Sequence, residues 1–372
     1  MDKPALHILS LPHTATTWDF SWCAYTMKAL KLARMMEKLE YPVYLYAATE
    51  SDFENTVPCV MAPPTPKVIY PDWTEKYFEA MNNRIIFEMA KRIQPHDLIL
   101  QTTGWPQKPV ADAFPDNFAI EYGIGYSGVC TAFQVFESYA WMHAIYAYHK
   151  GLERSETEHV GNMQGRFYDA VIPNYFELDQ FPIGKGRGGY LMFIGRMVEL
   201  KGWRIAVELA DRMGMPLVMA GQRDESIELP AHVAHVGMVG PVERARLMGD
   251  AHAVVVPTLY LEPFGGVNVE AQLCGTPAIT TDWGGFPETV QQGVSGFRCR
   301  TMAEFEEAVT LAPTLKRNKV RAWAAAKFSS DVVAQQYDAY FKRVSQLYAG
   351  GFDRRLSEDL SESTLWLGDY GA

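Results

Sequence analysis

Arg196 and Lys201 stand five residues apart in the run Gly195-Arg196-Met197-Val198-Glu199-Leu200-Lys201-Gly202, directly after an apolar stretch at 190–194. A guanidinium offers a planar fork to phosphate oxygens and an ammonium a compact charge, so the pair suits a diphosphate. Cations at the carboxyl end of a parallel strand also lie where open α/β sheets bind ligands. Taken alone, the run reads equally as an ordinary surface loop. A second run, Glu262-Pro263-Phe264-Gly265-Gly266-Val267-Asn268-Val269-Glu270, sets two carboxylates around glycines at the start of an expected helix. Glycine lets a ligand approach the backbone closely, and the helix start offers N–H groups and a positive dipole end to a phosphate. Eight helical residues rise about 12 Å, and a loop-plus-helix path less. That span suits a sugar at Glu262 and a ribose diol at Glu270, with a diphosphate between. An isolated E-x7-E pair is weak, and an acidic first helical turn would look the same. A third run, Asp282-Trp283-Gly284-Gly285-Phe286-Pro287-Glu288, follows a strand-like stretch and reads either as closure of the same site or as a structural turn.

These runs need elements to position them. Short β-rich runs alternate with helical periodicity along the whole chain, the pattern of parallel α/β architecture. In the first half, strands are predicted at 6–11, 43–47, 97–102 and 118–121. A helix is predicted over 21–39, and an irregular loop over 55–72, where Pro58, Pro63, Pro64, Pro66 and Pro71 fall. The aromatic stretch 133–143 reads as a core helix. In the second half, strands at 190–194, 217–220, near His235, 253–257, 278–281 and 296–299 alternate with helices at 203–213, 241–250, 266–274 and 302–311. Residues 172–189, rich in glycine and lysine with Pro173 and Pro182, are the expected linker. Val333, Tyr337, Tyr340, Phe341, Val344, Leu347 and Tyr348 form a one-sided stripe, so 331–348 is predicted to be a helix that docks on a partner surface. The tail 356–372 is acidic, with Leu365, Trp366 and Leu367 as an expected anchor.

In order and context, GR-x4-KG, EPFG-x4-EA-x3-GTP, GG-x2-E and G-x2-GF resemble the retaining GT-B glycosyltransferases of the large family of sucrose, glycogen and mannosyl-phosphoinositide synthesising enzymes. These are the family 4-like enzymes, or glycosyl transferases group 1. The likeness is specific over 190–297 and only architectural before it. It implies two Rossmann-like, doubly wound parallel-sheet domains facing across a cleft. An acceptor-side domain would span 1–175, joined by 332–372 crossing back, and a nucleotide-sugar-binding domain 176–331. The likeness further implies that Arg196 and Lys201 hold the diphosphate and that Glu262 lies near the transferred sugar. Phe264, Gly265, Gly266 and Val267 then form the donor-binding segment, and Glu270 takes the ribose. Many members carry a Gly-Gly loop after the first strand. Here that loop is His13-Thr14-Ala15-Thr16-Thr17, so hydroxyls replace backbone contacts or the acceptor side is built differently.

Departure of a nucleoside diphosphate needs positive charge where negative charge develops. Arg196, Lys201 and the helix start supply it, and the chain has no D-x-D run. A metal-independent enzyme without a cofactor is therefore expected, its substrate a UDP- or GDP-linked hexose. Retention, implied by the family, would have the acceptor hydroxyl attack the face the diphosphate leaves, with a leaving phosphate oxygen taking the proton. Glu262 as a covalent nucleophile is the alternative. On the sugar or acceptor side the candidates are His13, Thr14, Glu121, Gly125 and His143, each lone histidine reading also as structural.

The 372 residues suffice for two domains, and 48% hydrophobic residues allow each a core. A net charge of −10 disfavours a polyanionic acceptor such as DNA. A small molecule, a glycan or a lipid-linked hydroxyl is expected first, with a nucleic-acid acceptor left as an open alternative. Cys23, Cys59, Cys130, Cys274 and Cys299 are odd in number and without C-x-x-C spacing, as in reduced thiols of a cytoplasmic protein. The start of the chain does not read as a signal peptide, and no run of about 18 apolar residues would span a membrane. Lys28, Lys31, Arg34 and Lys38 share one side of the first helix, as a solvated face or a peripheral membrane contact. Two other functions compete. A GT-B epimerase or hydrolase-like enzyme would need a histidine–carboxylate acid/base set, which the sequence does not display. A non-catalytic sugar-nucleotide-binding protein would not need the intact cation pair and both glutamates.

Overall fold

The computed structural model describes residues 3–61, 76–153 and 165–349. The tail anchor expected at 365–367 and most of the proline-rich stretch lie outside them. The chain divides into two units, one holding Met1–Phe136, Ala144–Ile172 and the chain from Ala334, the other Glu137–His143 and Pro173–Val333.

The first unit runs β1 (Leu6–Leu9), α1 (Ala24–Lys38), β2 (Val43–Ala48), β3 (Thr56–Val60), α2 (Lys76–Met89), β4 (Leu98–Gln101), α3 (Lys108–Ala113), β5 (Phe118–Ile124), β6 (Phe133–Phe136), α4 (Tyr139–Glu153), whose residues to His143 belong to the second unit, and β7 (Ala170–Val171). Its seven strands form one parallel sheet in the order β3-β2-β1-β4-β5-β6-β7. Two expectations are corrected. Residues 56–60, assigned to a loop, are β3, paired in parallel with β2. Residues 133–136, assigned to a helix, are β6, with all four side chains buried. Phe-Gln-Val-Phe is strand-favouring sequence, and helix begins only after Ser138.

The second unit continues with β8 (Leu191–Ile194), α5 (Trp203–Arg212), β9 (Leu217–Ala220), β10 (Val233–His235), α6 (Pro241–Asp250), β11 (Ala253–Val256), α7 (Gly266–Leu273), β12 (Ala278–Thr281), α8 (Phe286–Thr289), β13 (Gly296–Cys299), α9 (Met302–Leu311) and α10 (Arg317–Phe328). Its sheet is parallel throughout, in the order β10-β9-β8-β11-β12-β13. Alternate residues feed two cores. Met192 and Val254 pack on one face with Phe264, Phe286 and Phe328. Leu191, Phe193, Ala253 and Val255 pack on the other with Trp203 and Leu209. A parallel sheet covered on both faces needs such doubly apolar strands. The expected linker is strapped along this unit: Phe176 N donates to Phe328 O at 2.9 Å, Gly184 N to Cys274 O at 3.0 Å and Gly188 N to Asp250 O at 2.9 Å.

The last helix among the described residues, α11 (Ser330–Ala349), starts in the second unit and runs into the first. Tyr337, Tyr340, Phe341 and Val344 are buried there. Tyr41 donates to Asp338 at 2.9 Å, Tyr340 to Tyr168 O at 2.7 Å, and Tyr348 stacks on Phe118 with ring centroids 3.8 Å apart. The striped helix is thus a structural part of the amino-terminal unit.

In each sheet the winding reverses once, between β1 and β4 and between β8 and β11. Ligands of open α/β sheets bind outside the carboxyl ends of the strands at such a reversal. The loops there are 10–17 and 102–107 in the first unit, and 195–202 and 257–265 in the second.

Candidate active site

The second reversal brings Arg196 and Lys201, after β8, beside Glu262, after β11. The two loops are tied by Leu259 N donating to Leu200 O at 2.9 Å. Lys201 Nζ donates to Glu262 Oε2 at 2.8 Å, in a pair whose side chains are 24% and 14% exposed. It also donates to the Tyr260 hydroxyl, which donates to Glu262 Oε2 at 2.6 Å. Arg196 is half-buried in the same loop.

The turn after β12 fixes Glu262. Gly285 N donates to Glu262 O at 2.7 Å. Gly284 has φ +62°, and a Cβ there would lie 2.6 Å from Glu262 N, so the close approach needs glycine. Glu288, the last residue of the third run, accepts from Tyr139 N and Ala140 N at 3.0 and 2.9 Å and so caps α4. Ser138 donates to Pro263 O at 2.5 Å, which seats the start of that helix on the Glu262 loop.

Phe264 is 2% exposed, packed edge-on against Phe328, so only its backbone faces outward chemistry. Gly265 adopts the left-handed conformation at the start of α7, and no side chain caps that helix. Its first N–H groups and positive end are available to an anion. Gly266 and Val267 are half-buried. Asn268 turns back to Gly265 O at 2.5 Å, and Gln272 donates to Asn268 Oδ1 at 2.9 Å. Glu270 pairs with Arg244 of α6 at 3.2 Å.

Of the first-half candidates, His13 and Thr14 lie in the loop after β1 at the other reversal, Glu121 and Gly125 at and just past the end of β5, and His143 in the opening residues of α4, which belong to the second unit. His13 is buried, 3.1 Å from Cys23 Sγ, and burial pushes its imidazole down to about 4. Thr14 pairs with Thr26. Glu121, on β5, is fully buried. It accepts from Cys130 N at 2.7 Å, Thr131 N at 2.8 Å, Thr131 Oγ1 at 3.0 Å and Tyr126 at 3.1 Å. Burial raises its carboxyl while those bonds lower it, with burial the larger cause. Its carboxylate organises the loop 126–131. Gly125 is half-buried just past β5. His143 is exposed on α4, its ring centroid 6.2 Å from that of Tyr139. On α1, Lys28 donates to Gly123 O at 2.5 Å and Arg34 to Asp52 O at 2.7 Å, so two of the four cations weighed for a membrane face bind back to their own unit.

Sequence reasoning missed Tyr260 and Arg244. Tyr260 stands two residues before Glu262, so scanning the loop for hydrogen-bonding side chains would have found it. Arg244 carries no signal, because only packing brings α6 to α7. Among the described residues, no cluster of histidine, cysteine and carboxylate ligands could hold a metal ion. Among the same residues, no helix is long and apolar enough to cross a membrane.

Two parallel doubly wound sheets, the second with a cation–carboxylate pair and an uncapped helix at its reversal, define a GT-B protein. Residues 188–312, about a third of the chain, match the family model described as glycosyl transferases group 1. The chain is 28% identical over 187 residues to a glycogen synthase of Pseudomonas aeruginosa, a match covering 45% of this chain and 36% of that protein. The chain thus spans about a third of that relative's length. Among solved structures it is similar to sucrose-phosphate synthase from Thermosynechococcus elongatus, with TM-score 0.68 and 17% identity over 94% of this chain and 100% of that one. It is also similar to Anabaena HepE in complex with UDP-glucose, with TM-score 0.64 and 15% identity over 92% and 100%. At such identities the likeness concerns the fold.

Proposed function

We propose that the chain transfers a hexose from a nucleoside diphosphate sugar to an acceptor hydroxyl, with retention of configuration and without a metal. The observation that carries this reading is the Lys201–Glu262 contact at the sheet reversal beside the uncapped start of α7. Glu262 accepts hydrogen bonds from sugar hydroxyls. Arg196, Lys201 and the α7 N–H groups take the charge that grows on the departing diphosphate. Glu270, steadied by Arg244, accepts from the ribose diol. The acceptor oxygen forms its bond to the anomeric carbon on the face where the carbon–phosphate oxygen bond breaks, and that phosphate oxygen takes the hydroxyl proton. HepE, a structural neighbour, is described in complex with UDP-glucose, which supports a UDP-linked donor. In this reading residues 176–331 bind the donor, and 1–175 with 332–372 bind the acceptor, a small molecule, glycan or lipid-linked hydroxyl. The five free thiols agree with a cytoplasmic protein.

A thermal-shift screen of nucleoside diphosphates and their sugars tests the donor, because a ligand that binds only the folded chain raises its stability by mass action. UDP-sugars or GDP-sugars are expected to raise the midpoint by several degrees. Glu262→Ala and Lys201→Ala should each cut transfer at least a hundredfold while the folded chain persists. Full turnover in either variant would remove the site assignment.

A further inference from the structure

Tyr260 stands between the two groups on which the proposed transfer depends. Its hydroxyl accepts from Lys201 Nζ and donates to Glu262 Oε2 at 2.6 Å. The ammonium is 4.8 Å from the ring centroid but lies against the phenol oxygen, so the contact is a hydrogen bond rather than a ring-face attraction. The tyrosine is itself fixed, because the Trp283 indole N–H donates to its carbonyl at 3.2 Å.

The hydrogen-bond count at this cluster is informative. Glu262 Oε2 receives two bonds, from Lys201 at 2.8 Å and Tyr260 at 2.6 Å. A carboxylate oxygen so occupied has little left for a ligand, and Oε1 becomes the oxygen the residue can offer. Lys201 has three N–H donors and spends two, on Tyr260 and Glu262, which keeps one for a phosphate oxygen.

We infer that Tyr260 is the positioning residue that aims Glu262 Oε1 at a hydroxyl of the donor sugar, so that this tyrosine makes donor recognition depend on the sugar. The inference rests on the donor-site reading above. It separates two affinities that a merely structural residue would move together. The nucleoside diphosphate alone is held by Arg196, Lys201 and the α7 start, whereas the sugar increment passes through Glu262.

The test is calorimetric titration of UDP, UDP-glucose, GDP and GDP-glucose into the full-length wild type, Tyr260→Phe and Tyr260→Ala, with thermal midpoints and acceptor-free donor hydrolysis on the same samples. For Tyr260→Phe, the free diphosphate should bind within about twofold of wild type. The diphosphate sugar should weaken about tenfold, the size of one lost charge-assisted hydrogen bond, with an unchanged midpoint. Tyr260→Ala should shift the same ratio at least as far. Equal losses for diphosphate and diphosphate sugar, or no loss for either, overturn the inference. If the wild type binds neither glucose conjugate more tightly than its free diphosphate, the donor reading fails first and takes this inference with it.

Discussion

At the scale of single residues, two buried groups of the first unit pull its stability in opposite directions with pH. His13 is held down to about 4 by burial, against 6.5 in an open chain. The unfolded chain therefore binds the extra proton between those values. This contribution is complete above about pH 6.5 and is lost as pH falls toward 4. Asp169 is pushed up to about 6 by burial, against 3.8. Its contribution is present below about pH 3.8 and is lost as pH rises through 6. Each shift is worth about 3 kcal/mol at full extent, so the two largely cancel between pH 4 and 6. Asp169→Asn keeps an acceptor for Tyr146, whose hydroxyl donates at 2.7 Å, and removes one of the two slopes. Unfolding free energy of the variant should fall about 3 kcal/mol further than that of wild type between pH 6 and pH 4. Parallel pH profiles for the two proteins would refute the assignment. The histidine could be singled out by its place after the first strand. Its burial and its Cys23 partner depend on how α1 packs, which one sequence does not reveal.

At the scale of elements, the glycines that open α7 are not equivalent. Gly265 has φ +85°, and a Cβ there would lie 2.6 Å from both Asn268 Nδ2 and the Phe286 ring. At Gly266 a Cβ would meet only Phe176, at an ordinary 3.8 Å. Gly265→Ala should therefore cost about 1–3 kcal/mol, from a left-handed backbone and displaced neighbours. Gly266→Ala should be neutral or slightly stabilising, since alanine suits a helix better. Urea unfolding of the two variants decides this, and equal losses would show that the turn is not what fixes the site. The sequence marked this helix start through its glycines and its flanking glutamates. It did not mark that Glu288 caps α4, because that bond joins residues 148 positions apart in the chain. The same limit explains β6. Its aromatic run carries no periodicity long enough to tell strand from helix, and pairing with β5 decides the matter.

At the scale of the whole molecule, the amino-terminal unit is completed from the far end of the chain. Phe341 is fully buried, with Tyr41 edge-on at 6.1 Å and Tyr337 at 5.7 Å. Phe341→Ala should destabilise this unit by about 3–5 kcal/mol through lost burial and a cavity. Hydrogen exchange resolved by segment should show faster opening of β1, β2 and α1, with β8 to β13 unchanged; uniform loss across both units would contradict the division. The sequence by itself determined the alternation of strands and helices, the parallel class, the cation and glycine–glutamate motifs and the stripe of α11, since each rests on spacing within a few residues. Tertiary structure alone decided what that stripe docks on, that Glu121 serves a loop, that Arg244 steadies Glu270, and that Tyr260 links Lys201 to Glu262. Those partners lie on separate loops and helices, or depend on side-chain direction, and both are set only when the sheet brings the ends of β8 and β11 side by side.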